Sequence, residues 1–326
     1  MMNKKLLFTL IFTLVAAAGA FAAEDESAEP SWKFTAVTDF AWYPKSAYVA
    51  DTTSHFAPIT GAYSGVQIRT TFNAAYKIPV LTSSGALFSG NNVTLTGSLE
   101  LTPITLMPKV SISFTPIAFL NFSAGGMAGT GWDLIGMQAM SQYNSLSVAY
   151  DSLPAFSTWY FKGWANGTFM FDVAALWPGD WHHIVTVATY EVSYTTMTNE
   201  TSAVWDWQTS KNSATGLQFY QSYVLGYQMP TIVSIVGVRA ELAGHYDAGD
   251  YGVYANNLNG SFITMDVSPL MQLTFSKKDS MYIMFNFESR RGFAEVHTKT
   301  DEEPLLTYTG SEWFFNRVAF SWTHTF

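Results

Sequence analysis

Val93-Thr94-Leu95-Thr96-Gly97-Ser98-Leu99-Glu100-Leu101 alternates without a break: each odd position is apolar or glycine, each even one polar. An extended chain sends successive side chains to opposite faces, so this stretch folds as a strand with one greasy side and one wet side. The period continues outward in both directions. Val66, Ile68, Phe72, Ala74 and Tyr76 alternate with Gln67, Arg69, Thr71 and Asn73, and Met281, Ile283, Phe285 and Phe287 alternate with Tyr282, Met284, Asn286 and Glu288. Ile184 to Tyr194 follows the same rule less cleanly. Strands are expected at 32–42, 65–76, 93–101, 109–125, 167–176, 183–195, 217–228, 232–244, 261–275, 281–290 and 313–326. Several exceed the five or six residues usual in soluble sheets and match the roughly 9 to 11 that cross a bilayer at a tilt.

Composition narrows the class. Of 326 residues, 48% are hydrophobic, 16% aromatic and only 13% charged, too many rings and too few charges for a disordered chain. Sixteen Lys and Arg face 25 Asp and Glu, and the basic residues cluster only at Lys277-Lys278 and Arg290-Arg291, which argues against a nucleic-acid partner. Cysteine is absent, which excludes disulfides, thiolate metal sites and a cysteine nucleophile. Met1 to Lys5 is basic, Leu6 to Val15 is apolar, and Ala20 and Ala22 stand where a signal peptidase reads small residues. Residues 1–22 are therefore expected to be a cleaved export signal, 23–31 an acidic flexible leader, and 32–326 a single domain. No later segment offers about 18 consecutive apolar residues, so helical spans are not expected.

The connections sort by length. Counted back from the last strand they run long (291–312), short (276–280), long (245–260), short (229–231), long (196–216), short (177–182), long (126–166) and short (102–108), as tight turns on one side of a membrane barrel and large loops on the other would do. Two faults remain: the alternation leaves the long stretch 43–64 on the short-turn side, and eleven strands is odd where single-chain bacterial barrels are even. One missed strand between Tyr43 and Ser64, or a first segment folded into the lumen, would remove both. The expectation is an all-β, single transmembrane antiparallel up-and-down β-barrel of about 12 strands, with 10 to 14 as the range.

Counting back by twos from the last residue gives Phe326, His324, Trp322, Phe320 and Val318, then a misfit at Asn316, then Phe314. This aromatic stripe resembles the C-terminal strand of bacterial outer-membrane β-barrel proteins of the porin-like kind, in which a terminal Phe serves as an assembly signal. The resemblance implies outer-membrane lipid, the barrel assembly machinery and periplasmic chaperones as partners, with Val318, Phe320, Trp322 and Phe326 as the signal; His324 departs from the pattern. In its acidity and aromatic strands the chain also resembles spirochaetal outer-membrane proteins. Trp42, Tyr76, Trp159, Trp177, Trp181, Tyr194, Tyr227 and Trp313 fall near strand ends, as interfacial girdles require.

The strand phases place Arg69, Glu100, Asp172, Glu191, Arg239, Glu241, Asp266, Glu288, Arg290 and Arg317 on the inner face, where they would filter small solutes by charge. A closed interior in which these groups pair with one another is the plainer alternative, since small barrels fill with side chains. The favoured function is a channel for passive diffusion; the rivals are a closed structural or host-contact barrel acting through its loops, and a transporter of hydrophobic compounds with 23–63 as an internal hatch. No enzyme is expected, as no Gly-x-Ser-x-Gly elbow occurs. His245, Asp247 and Asp250 resemble the rim dyads of omptin proteases in residue type only. No metal or cofactor is expected: His182-His183 sits beside a Pro178-Gly179-Asp180 turn with its two rings pointing apart. Gly126-Met127-Ala128-Gly129-Thr130-Gly131 reads as loop punctuation, and Trp205-Asp206-Trp207 as either a contact patch in a long loop or local packing.

Overall fold

The computed structural model describes residues 29–47, 56–144, 149–208, 212–295 and 306–326. The expected export signal with Ala20 and Ala22, and most of the acidic leader, lie outside the described residues. Sixteen strands form: β1 Ser31–Ser46, β2 Phe56–Ala57, β3 Ile59–Pro79, β4 Asn92–Leu101, β5 Thr105–Ile117, β6 Leu120–Gly131, β7 Met140–Asn144, β8 Ala149–Ser152, β9 Tyr160–Asp172, β10 His183–Met197, β11 Trp205–Trp207, β12 Gly216–Gln228, β13 Val233–His245, β14 Thr264–Thr274, β15 Asp279–Glu295 and β16 Leu306–Thr325.

Twelve of these close into a single antiparallel barrel in the order β1, β3, β4, β5, β6, β9, β10, β12, β13, β14, β15, β16, with β16 returning to β1. Eight residue pairs, from Thr35 with Thr325 to Trp42 with Val318, seal the ring. Closure matters because an open sheet would leave a row of unpaired backbone groups at each edge. Beyond this seam the two-residue β2 runs parallel to β16, pairing Phe56 with Trp313 and Ala57 with Phe314.

The count of twelve agrees with expectation, but the missing strand is elsewhere. The expected strand 109–125 is two strands, β5 and β6, folded back through a two-residue turn at Ala118-Phe119 with Ile117 opposite Leu120. Ile112 and Phe114 before the turn and Phe122 and Ala124 after it all fall on even numbers and face outward, so the alternation crosses the turn unchanged. With the turn in place, the β1–β3 connection belongs with the long loops at one end, and 80–91 joins the turns, the start of β1 and the end of β16 at the other, the termini end. Turn 102–104, expected among the short inner turns, lies at the long-loop end. The glycine run 126–131, expected as loop, belongs to β6: a Cβ on Gly125 would meet the Trp164 ring at 2.4 Å, and one on Gly129 the Trp207 ring at 2.6 Å.

Faces separate cleanly. Outward positions include Trp32, Phe34, Phe40, Ile68, Phe72, Leu95, Val110, Ile112, Phe169, Ile184, Leu225, Val238, Val267, Phe285 and Trp322, all exposed. Among the described side chains of the twelve strands no outward position is Asp, Glu, Lys or Arg except Asp279, the first residue of β15, and Arg291, toward its other end. Asn316 is a bulge: the register steps from Asn286 opposite Arg317 to Phe287 opposite Phe315, so Asn316 and Arg317 are both buried inside, and Phe314 faces inward with Arg290 stacked 4.3 Å above its ring.

Candidate functional site: the lumen and its cap

The ten residues expected on the inner face are buried or half-buried. Several come together. On one wall Arg69 Nη2 lies 3.0 Å from Asp39 Oδ2 and Arg69 Nη1 3.7 Å from Glu100 Oε2, and Lys109 Nζ reaches the same Glu100 oxygen at 2.6 Å. This chain crosses four adjacent strands, β1, β3, β4 and β5. Further round, Lys162 on β9 pairs with Glu191 on β10 at 2.7 Å.

A second network runs from β12 round to β16 and on to Tyr43 of β1. Arg239 pairs with Glu241 at 2.7 Å, and the Tyr220 hydroxyl donates to Glu241. Arg317 donates from Nη1 to the Tyr43 hydroxyl at 3.1 Å and from Nε to Asn286 Oδ1 at 3.3 Å. Asn286 Nδ2 donates to Ser268 Oγ at 2.8 Å and Asp266 Oδ2 at 3.1 Å, while Asn316 donates to Glu288. Two candidates stand apart: Arg290 pairs with Glu312 at 2.6 Å and bonds Ser46 and Ala47 across the seam, and Asp172 meets His183 at 2.6 Å near the termini end.

These groups are not solvent-lined. Arg239 is 0% exposed and Glu100 1%. Toward the termini the interior turns apolar, where Met170, Val187, Val224, Ile235, Leu270, Tyr282 and Met284 pack with Ala41, Tyr43 and Ala319. Bulky side chains from facing strands thus meet across the ring, as expected when a barrel is narrow enough for its own residues to fill it.

The long-loop end is covered. β7, β8 and β11, from loops 132–159 and 198–215, form a three-stranded sheet. Trp205 and Trp207 pack with Ile104, Met107, Ala139, Met140, Tyr160 and Met197, the Trp207 ring stacking on Tyr160 with centroids 4.9 Å apart. Tyr143, Val204, Ala214, Tyr251, Tyr254 and Leu258, the last from helix α1 (Ala255–Leu258), form a second cluster. The exposed contact patch considered for Trp205-Asp206-Trp207 is therefore absent: all three residues are buried, because two indoles lose more free energy in water than they gain by display. From the same loop Gln208 reaches down and donates to Thr105 Oγ1 at 2.7 Å and Glu100 Oε1 at 3.4 Å. Cap and wall share that carboxylate.

Other expected candidates resolve locally. His245 Nδ1 meets Asp250 Oδ2 at 2.8 Å, but its Nε2 lies against Gln218 at 3.1 Å, and Asp247 caps the adjoining 3-10 turn through Gly249 N. Among the described residues no group of three or more His, Cys, Asp or Glu could hold a metal. Sequence reasoning passed over Asp39, Lys109 and Lys162, which alternate with exposed Phe40, Val110 and Phe161 and were findable by the same period. Gln208 gave no such signal.

The fold is thus that of a closed twelve-stranded barrel with an apolar exterior nearly free of charge and an interior of buried ion pairs above an apolar layer. No family model matches the chain, and no curated protein matches it. Among solved structures it is similar to an outer membrane channel from Pseudomonas putida F1 (8% identity, TM-score 0.45, covering 90% of this chain and 95% of that one). It is also similar to the KdgM porin (6%, 0.36, 91% and 99%) and to the β domain of the Bordetella autotransporter BrkA (10%, 0.41, 91% and 100%). Likeness at this level carries no function across.

Proposed function

We propose that the chain is a bacterial outer-membrane β-barrel protein whose lumen is closed at rest, and that its long-loop cap faces the surroundings of the cell. The observation that carries the membrane reading is the exterior: a band free of charge on all twelve strands, where each Arg or Lys at mid-bilayer would cost about 2 to 4 kcal/mol. Aromatics stand at both ends of that band, Trp32, Tyr76, Trp181 and Tyr227 near the termini and Trp159, Tyr190, Tyr194 and Tyr246 near the loops, where amphipathic rings suit the two interfaces. The termini end is then periplasmic, and the outward Val318, Phe320, Trp322 and Phe326 are positioned for the assembly machinery and its chaperones to read.

Passage of small solutes is a second reading, supported by the inward charged residues and by the polar strut, Gln208, that ties the cap to Glu100. The barrel would then be a gated conduit with those charges as its filter. Catalysis is no part of either reading. Conductance across planar bilayers tests both. The intact protein is expected to insert and stay silent; open steps of defined size in the unaltered protein would overturn closure at rest. Removal of 198–215 is expected to open steps whose ion selectivity shifts on Arg239→Ala if solutes pass. Persistent silence after removal leaves the closed, loop-presenting barrel.

A further inference from the structure

Along β6 the even positions face outward, and Trp132 extends that phase past the strand's end, its ring packed at a tilt of 32° on Phe156 with centroids 5.3 Å apart. Thr130 shares the outward phase yet is only 2% exposed, because 156–158 lies against it: Thr130 Oγ1 donates to the Thr158 carbonyl at 3.0 Å and Phe156 N to the Gly131 carbonyl at 2.9 Å. Trp159 and Phe161 are exposed on the same flank. The apolar exterior of the wall therefore continues, through Phe161, Trp159, Phe156 and Trp132, into the loop above β6 and β9.

A tight hairpin projects from that flank. Leu134 and Met137 exchange both backbone hydrogen bonds, at 3.0 and 2.9 Å, around Ile135 (φ 49°) and Gly136 (φ 74°). Such turns need positive φ at both central residues and favour Asn or Asp before Gly; a β-branched side chain in that region is rare. Ile135 is also 88% exposed, and Leu134 and Met137 are exposed beside it. Asp133, the nearest charge, is turned away from the tip, accepting from Ala139 N at 3.2 Å and from the Ser152 hydroxyl. The hairpin starts at the lowest part of the rim: Trp132 N bonds the carbonyl of Ile104, in the three-residue turn between β4 and β5. A strained backbone that displays isoleucine where asparagine would fit better points to a use for the side chain.

We propose that the Leu134–Met137 tip inserts into the acyl-chain region of the membrane leaflet around the long-loop end. The inference rests on the membrane-barrel reading, and it makes lipid hydrocarbon the occupant. Continuity with the outward belt supports that choice, since a tip over the mouth would have no such neighbour.

The chain has no cysteine, so single labels can be placed freely. Ile135→Cys, Met137→Cys, Phe161→Cys and Val253→Cys would each carry an environment-sensitive fluorophore in the full-length barrel, refolded into phosphatidylcholine vesicles with brominated acyl chains. Labels at 135 and 137 should lose most of their emission to the brominated lipid, as the wall label at 161 does, and resist aqueous iodide. The label at 253, on the exposed top of the cap, should show the reverse. Labels at 135 and 137 that follow 253 while 161 is quenched would overturn the proposal and leave the membrane barrel standing. Failure of quenching at 161 as well would overturn both.

Discussion

At the scale of single residues, one rule decides most of the molecule: charge on odd positions of β1, β3 and β5 or even positions of β4 and β9 points in, and hydrocarbon on the others points out. Val238, at the middle of β13 and exposed on its outer face, tests the rule directly. Val238→Lys should cost about 2 to 4 kcal/mol in lipid vesicles, read as a shift in the denaturant midpoint, because the ammonium must sit against acyl chains. Inside the ring the sign of the argument differs. Glu191 is buried and held by Lys162, so Lys162→Met strands a carboxylate and should destabilise by about 3 to 5 kcal/mol, whereas Lys162→Met combined with Glu191→Met should recover most of the loss. The same denaturant titration checks all three variants, and equal losses for the single and double changes would mean that packing rather than charge is at stake. Asn316, which broke the aromatic stripe in the sequence, was the mark of a bulge, an irregularity that alternation can flag but not explain.

At the scale of elements, the long strands were legible because each has one face against apolar surroundings and one against polar partners, so hydrophobicity records the period. What escaped were places where the period carries no information. The turn at Ala118-Phe119 has no Gly or Asn and keeps its flanks in phase, so two strands read as one. The cap elements β7, β8 and β11 are short, β7 and β11 are buried along nearly their whole length, and their contacts join residues far apart in the chain, which no local pattern encodes. The bulge offers an element-level test. Deleting Asn316 would remove the extra residue and restore simple alternation with the faces kept, Glu312 and Phe314 inward and Trp313 and Phe315 outward. The folded fraction, measured by heat-modifiable migration on gels, should stay near normal; a sharp fall would show that the bulge itself, with the Asn316 bond to Glu288, is needed for the ring to form.

At the scale of the whole molecule, the inward residues were individually foreseeable but their closure was not. A strand phase states which way Arg239 points; only the ring of neighbours states that nothing but protein lies beyond it. Buried pairs, an apolar layer and a folded cap are three successive obstructions along one axis, so releasing the cap alone should admit less current than releasing the cap together with Tyr282→Ala and Met284→Ala, a comparison made in the same bilayer recordings. A different consequence follows from the seam. Thr35 lies opposite Thr325 and Phe326 N bonds the carbonyl of Phe34, so the two ends of the wall meet side by side. Because each staves-and-hoop neighbour is antiparallel, the circle has no privileged starting point. A circularly permuted chain, opened at residues 229–232 and joined by a short linker from 326 to 31, should refold in lipid vesicles into the same cylinder with every strand pairing preserved.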